Sequence, residues 1–278
     1  MNPIFFYIKD KLKDFYPERE LSSIIKILLT EFFSLSSIEI YGGKDKIFSQ
    51  KEMDDLDVII ERLKKYEPIQ YILGYEMFYG RKFKVTKATL IPRPETVELI
   101  DWIISDSKDG DCKIVDIGTG TGCIAISLAA NLSGSKVEGW DISEDALKVA
   151  SDNAAINGVY VKFRNIDILK FTPQADKYDV IVSNPPYITE AEKSEMDSNV
   201  LDWEPNIALF VNNNDPLLFY RKIAYIAKET LRNNGRLYFE INRNFSKEMV
   251  DMLKEIGFVD IEVRKDCFGN DRMVKAKI

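Results

Sequence analysis

The chain has 278 residues, a formal net charge of -7, 45% hydrophobic and 30% charged residues, and no histidine. This length accommodates one or two domains with buried cores, and the acidic balance opposes general attraction to a nucleic-acid polyanion. Without histidine, and with three cysteines (Cys112, Cys123 and Cys267) at no metal-ligand spacing, a zinc site and histidine acid–base catalysis are excluded.

Each cysteine reads as a small, reduced core residue. Charges at Lys9, Asp10 and Lys11 interrupt the N-terminal segment, which therefore lacks the apolar stretch of a signal peptide. No run approaches the roughly 20 apolar residues of a membrane helix. A cytoplasmic protein without a membrane partner is expected. Ile4, Tyr7, Ile8 and Leu12 fall at helical spacing, as do Leu21, Ile24, Ile25, Leu28 and Leu29. Beyond a polar stretch near Gly42 and Gly43, Gln50 to Lys65 forms a third amphipathic segment. These segments predict a small helical domain over residues 1–66. Residues 67–91 are richer in aromatic and β-branched residues around Gly74 and Gly80, which predicts a β-hairpin linker. The IPRPE segment at 91–95 places two prolines before an amphipathic run from Thr96 to Ile104, and a helix is expected to start there.

From Lys113 onward, strand and helix patterns alternate. Strands are read at 113–117, 136–140, 160–166, 178–183 and 235–241, and helices at about 122–132, 143–156, 215–232 and 246–256. Segments 259–263 and 272–278 flank the turn Phe268-Gly269-Asn270-Asp271 and read as a closing antiparallel pair. The fold class is therefore α/β: a seven-stranded, mostly parallel, Rossmann-like sheet over residues 92–278 with helices on both faces.

Two segments carry chemistry. The first is Asp116-Ile117-Gly118-Thr119-Gly120-Thr121-Gly122, between a strand and a helix. Glycines permit the turn and let a ligand approach main-chain N–H groups. A plain tight turn or another nucleotide loop has the same look, but the next strand ends in Asp141, placed to accept both hydroxyls of a ribose. A helix cap before Ser143 is the plainer account of Asp141. No Gly-Lys-Ser/Thr follows, so a P-loop is excluded. The arrangement resembles the S-adenosylmethionine site of Rossmann-like methyltransferases. That resemblance nominates Asp167 for the adenine amino group and Ile168 for the adenine face, although a loop aspartate is also common at surfaces.

The second segment is Asn184-Pro185-Pro186-Tyr187, after the strand Tyr178–Ser183. Proline removes main-chain donors and fixes φ, so the loop presents rigid carbonyl acceptors where open α/β sheets bind ligands. An amide or aromatic amine nitrogen is a poor nucleophile because its lone pair is delocalised. The Asn184 side-chain oxygen and the Pro185 carbonyl can hold its two N–H groups and turn the lone pair toward a sulfonium methyl, while Tyr187 packs on the planar group. Alignment of this kind supplies ~7–11 kcal/mol, so no histidine base is needed.

With these segments in view, the chain resembles the glutamine-N5 methyltransferases that modify peptide-chain release factors (the PrmC/HemK family). The likeness is carried by PIQYILGYEMFYGRKF at 68–83, TLIPRPETVELI at 89–100, DIGTGTGCIAISLA at 116–129, SNPPYI at 183–188, EPNIALF at 204–210 and FGNDRMV at 268–274. It implies methyl transfer from S-adenosylmethionine, which leaves as S-adenosylhomocysteine, to the glutamine of a Gly-Gly-Gln loop. By position it implies that Gly118, Thr119, Gly120, Thr121 and Gly122 cradle the methionine moiety, with Asp141 on the ribose and Asp167 and Ile168 at the adenine. Asn184 adjoins the cofactor and, with Pro185, Pro186 and Tyr187, grips the glutamine amide beside Leu90. Arg93 and Glu95 support the site or simply start a helix. Ile168 stands where some relatives have tryptophan, and Asn242 where glycine is common. A release-factor partner, a monomer and no bound nucleic acid or metal are expected. A DNA adenine-N6 methyltransferase, another protein-glutamine or RNA-guanine methyltransferase, and a non-catalytic binding module are the competing readings.

Overall fold

The computed structural model of the protein describes residues 2–42, 48–107, 111–173 and 177–278, without the side chain of Glu195. Gly43, part of the expected separating stretch, lies outside the described residues. The chain divides into two compact units, Met1–Gly74 with Ser198–Trp203, and Tyr75–Asp197 with Glu204–Ile278. None of the described helices is long and apolar enough to cross a membrane.

The first unit opens with α1 (Pro3–Leu12) and α2 (Glu18–Ile27), which continues into a π turn at Leu28–Phe32. Then come α3 (Ser37–Tyr41), α4 (Gln50–Leu63) and α5 (Ile69–Leu73). Apolar positions at helical spacing, among them Ile8, Leu12, Ile25, Leu28, Leu56 and Ile60, close into one core. Ser36 with Glu39 and Ser49 with Glu52 form capping boxes that satisfy the free N–H groups at the starts of α3 and α4.

The expected hairpin over 67–91 is shorter than the sequence reading placed it. Residues 69–73 are helical, punctuated by Pro68 before the first turn and by Gly74, at φ +81°, after the last. The hairpin itself comprises β1 (Tyr75–Phe78) and β2 (Arg81–Lys84) in the second unit. Tyr79 and Gly80 between them, at φ +49° and +69°, suit the two-residue turn whose twist matches antiparallel strands.

The second unit continues with α6 (Thr96–Asp106), β3 (Lys113–Ile117), α7 (Cys123–Asn131), β4 (Lys136–Asp141), α8 (Glu144–Ile156), β5 (Lys162–Asn165) and β6 (Tyr178–Ser183). After the two-residue strand β7 (Ile188–Thr189) and α9 (Ser198–Trp203, part of the first unit) come α10 (Asn206–Leu209) and β8 (Phe210–Val211). The chain ends with α11 (Leu218–Thr230), β9 (Leu231–Glu240), α12 (Ser246–Ile256), β10 (Val259–Lys265) and β11 (Asp271–Lys277). The main sheet has the order β10-β11-β9-β6-β3-β4-β5. The pairs from β9 through β5 are parallel, and β11 is antiparallel to both β9 and β10. The expected helix over 215–232 stops at Thr230, because Leu231 already pairs with Tyr178 of β6. The chain then bulges past Asn234, at φ +63°, before rejoining the ladder at Arg236.

Alternation along the strands divides the core in two, since successive strand residues point to opposite faces. Ile114, Val180, Val182 and Tyr238 pack with α6 and α7 on one face. Val115, Ile181, Leu237 and Phe239 pack with α11 and α12 on the other. After β3 the chain moves outward through β4 and β5, then returns to place β6 on the opposite side of β3. Reversals of this kind open a crevice at the carboxyl ends of the strands.

Asn153 on α8 ties the hairpin to this crevice. Its Oδ1 accepts the Lys84 N–H at 2.6 Å, and its Nδ2 donates to the carbonyls of Lys84 at 3.0 Å and Thr121 at 2.9 Å. The residue is 0% exposed, so truncation strands these groups away from water. Asn153→Ala is expected to destabilise the protein by about 2–4 kcal/mol, measured by urea unfolding; a change below about 1 kcal/mol would show that the bridge does not hold the hairpin.

Candidate active site

A cleft of about 310 Å³ lies at the carboxyl ends of β3, β4, β5 and β6. Gly118 and Gly120 line it, at φ +75° and +54°, and a methyl group added to either would meet open space. Their main chain is thus accessible to a ligand, while the left-handed backbone still calls for glycine. Thr119 and Thr121 also line the cleft. Gly122 has a different place: it precedes α7 at φ +80°, and an added Cβ would sit 2.9 Å from Ile126 Cδ1 and 3.3 Å from Ala150 Cβ. Close helix packing, rather than ligand access, accounts for glycine there.

Two carboxylates shape the loop. Asp116 is 0% exposed; its Oδ2 accepts the Thr119 hydroxyl at 2.6 Å and the Ala125 N–H at 3.2 Å. Its Oδ1 is buried without a hydrogen-bond partner among the described residues. Burial pushes the Asp116 carboxyl up to about 7, against the pull of those two donors. Asp141, on the cleft wall, accepts Gly120 N–H on Oδ2 and Ser143 N–H on Oδ1, both at 2.9 Å. Burial raises its carboxyl and the main-chain donors oppose the rise. Ser143, not Asp141, caps α8, accepting the Ala146 N–H at 3.2 Å. Each Asp141 oxygen therefore keeps a lone pair for a further donor.

Asp167 and Ile168 also line the cleft. Asp167 accepts the Leu169 N–H at 3.0 Å and pairs with Lys170 at 3.0 Å; the lysine bond is the main cause that holds its carboxyl low. Asn184, Pro185, Pro186 and Leu90 complete the sequence-derived set on the cleft wall. Tyr187 is placed differently: it is absent from the cleft lining among the described residues, and its half-buried ring packs against the core. Burial, with the nearby Glu240 charge, raises its phenol, which stays protonated at neutral pH.

Several site residues carried no local signal. Ile142, Ile166 and Ile207 contribute apolar wall; their type and spacing match those of core residues. Arg93 lines the cleft and pairs with Glu204 at 2.5 Å, and Glu204 also accepts the Ile91 N–H at 3.3 Å. That pair holds the IPRPE segment in place, whereas Glu95 precedes α6 without a side-chain cap bond. Glu240, at the end of β9, is buried and accepts the Thr96 hydroxyl at 2.7 Å. Cys123 lines the cleft with its thiol pushed up to about 12 by burial, so it remains protonated. Cys112 and Cys123 are half-buried and Cys267 is exposed, which corrects the expectation of three core cysteines. The strand positions did not distinguish Cys267, which follows the edge strand β10 in a turn.

Open main chain at two glycines, a carboxylate with spare acceptors and apolar walls together suit a nucleoside ligand. The comparisons with known proteins give the family. Residues 102–201 match the methyltransferase small domain, and residues 7–74 match the PrmC N-terminal domain. The chain is 48% identical to a release factor glutamine methyltransferase of Bacteroides thetaiotaomicron, covering 99% of both chains. It is 44% identical to one of Flavobacterium psychrophilum, covering 95% of this chain and 94% of the relative. Among solved structures, a methyltransferase from Pyrococcus furiosus superposes with a TM-score of 0.54 at 16% identity, covering 81% of this chain and 98% of that one, a likeness of fold.

A pH dependence follows from Asp116. Its carboxyl is raised in the folded state, so its contribution to stability is fully present below the ordinary carboxylate range, near pH 4, and is lost as pH rises through about 7. Asp116→Asn cannot ionise. Its stability relative to the parent is expected to improve between pH 4 and 8, by up to roughly 4 kcal/mol, in unfolding measured across that range. A difference independent of pH would remove the raised carboxyl from the account.

Proposed function

This chain belongs to the release factor glutamine methyltransferases, and from that membership we propose that it methylates the side-chain amide nitrogen (N5) of the glutamine in the Gly-Gly-Gln loop of peptide-chain release factors. The methyl donor in this reading is S-adenosylmethionine, which when bound supplies an electrophilic methyl carbon on a positively charged sulfur. The observation that carries the reading is that Asn184 and Pro185 line the same cleft as the glycine loop and Asp141.

The roles follow from the chemistry of each group. Gly118 and Gly120 leave room for the donor's amino-acid portion against their main chain, with Thr119 and Thr121 beside it. Asp141, whose oxygens each already hold one N–H, accepts the ribose hydroxyls with its remaining lone pairs. Ile142, Ile166 and Ile168 provide the apolar surface an adenine ring needs, with Asp167 next to them. Asn184 Oδ1 and the Pro185 carbonyl accept the two N–H groups of the glutamine amide. This would aim the face of the amide nitrogen, where its lone pair lies, at the methyl carbon; the products would be the N-methyl amide and S-adenosylhomocysteine, with the surplus N–H proton released to solvent. Fixed acceptors cost no reorganisation as charge develops on nitrogen. Leu90 and Pro186 flank the planar amide and exclude water. Tyr187, packed behind them, stabilises the corner in which the amide sits.

Asn184→Ala is expected to reduce turnover by about 100-fold or more, with affinity for S-adenosylhomocysteine, read by titration calorimetry, within a few-fold of the parent. Full activity in that variant would remove Asn184 from the acceptor site. Asp141→Ala is expected to weaken S-adenosylhomocysteine by about 10- to 100-fold; unchanged affinity would move the ribose contact elsewhere. The substrate itself is tested by incubating a bacterial release factor with labelled donor and repeating with the loop glutamine replaced. Label should disappear with the glutamine, and its persistence would refute the assignment.

A further inference from the structure

Pro185 and Pro186 remove two main-chain donors from residues 184–187. A loop so poor in donors has to be held through its own carbonyls, by donors from elsewhere. Such a donor is present just beyond β9. The side-chain amide of Asn242 donates from Nδ2 to the Tyr187 carbonyl at 3.2 Å. It also reaches both oxygens of Glu192, at 3.1 and 3.2 Å. On its other side, Asn242 Oδ1 accepts the Asn244 N–H at 3.0 Å.

Glu192 holds this amide from the far side. Its carboxylate accepts the Thr189 N–H and hydroxyl, both at 2.8 Å, and Asn244 Nδ2 at 2.9 Å. Burial works against the Glu192 charge, but the donors from Thr189, Asn242 and Asn244 outweigh it and keep the carboxyl below its usual range. The arrangement also decides which way the Asn242 amide is turned. Exchanging its oxygen and nitrogen would set an acceptor against both the Tyr187 carbonyl and a carboxylate. Asn242 is 7% exposed, at φ -70° and ψ 124°, an ordinary extended backbone. The position therefore makes no demand for glycine, and the side chain contributes the bonds.

We propose that Asn242 is a positioning residue for methyl transfer: by gripping the Tyr187 carbonyl, with Glu192 as its anchor, it sets where the Asn184 and Pro185 acceptors point. This rests on reading the Asn-Pro-Pro-Tyr corner as the methyl-acceptor site. Asn242 touches neither ligand in this scheme and acts only through the loop. Loss of the grip leaves the acceptors present but poorly aligned, and alignment is what this chemistry depends on.

The test compares the full-length parent with Asn242→Ala, and with a double variant carrying Asn242→Asp and Glu192→Gln. In Asn242→Ala, hydrogen exchange over residues 183–192 is expected to accelerate about 10-fold or more, and turnover with saturating release factor to fall about 10- to 100-fold. Affinity for S-adenosylhomocysteine should stay within about three-fold, since the glycine loop and Asp141 are untouched. The double variant restores an N–H···O bond between positions 192 and 242, at the expense of the acceptor that Asn244 Nδ2 uses, and turns a carboxylate toward the Tyr187 carbonyl. Its turnover is expected to remain low. Unchanged exchange over 183–192 in Asn242→Ala, or parental turnover in either variant, would overturn the proposal. A parent that transfers no methyl group to glutamine would refute the acceptor-site reading instead, and the exchange comparison would still decide whether Asn242 holds the loop.

Discussion

The structure depends on the parallel pairing of β3 with β6, which makes partners of Ile117 and Ser183, the last residues of the two strands. The Ser183 hydroxyl donates to the Ile117 carbonyl at 2.6 Å, so the two strand ends are joined by a side chain as well as by the ladder. The glycine loop leaves from one of these residues and Asn184 follows the other. Both loops therefore line one cleft, which in the proposed reaction brings the methyl donor and the acceptor amide together. The chain reverses its order across the sheet at this point, which opens a crevice between the two strand ends.

Around that junction lie carboxylates rather than bases. Asp116, Asp141 and Glu240 are all raised by burial and all opposed by donors that favour the ionised form. For Glu240 the opposing groups are the Thr96 hydroxyl, the Arg272 charge and the side chain of Asn184. The proposed reaction asks for fixed acceptors and negative potential near a cationic donor, and needs no titrating imidazole. The absence of histidine from the sequence is consistent with that demand.

The periodic parts of the fold were legible because periodicity reports which face is buried. The expected strands at 113–117 and 178–183 and the helix at 246–256 coincide with β3, β6 and α12. The reading failed where short-range punctuation outweighed composition. Aromatic and β-branched residues over 67–91 suggested only strands, yet Pro68 and Gly74 enclose the single helical turn of α5. Leu231 looked like the end of a helix, but the pairing it makes with Tyr178 is a contact between distant residues that no local pattern encodes. In the site, glycines and prolines stood out because they alter backbone freedom. Glu192, Glu204 and Glu240 did not, because a carboxylate has the same local appearance in sequence whether it ends up exposed or buried; Asn242 stood out only as a departure from glycine, with no sign of its partner.

The amino-acid sequence by itself determined the order of the main-sheet strands and of the helices between them, the family resemblance and the residues of the two loops. Each of these is written in neighbouring positions or in a backbone constraint attached to one residue type. Tertiary structure alone decided that Gly122 serves helix packing while Gly118 and Gly120 face the cleft, and that Tyr187 packs inward. It also decided that Asn242 reaches back to the Tyr187 carbonyl. Those outcomes depend on what lies opposite a residue across tens of positions of chain, and burial and hydrogen bonding at that distance exist only once the sheet has assembled.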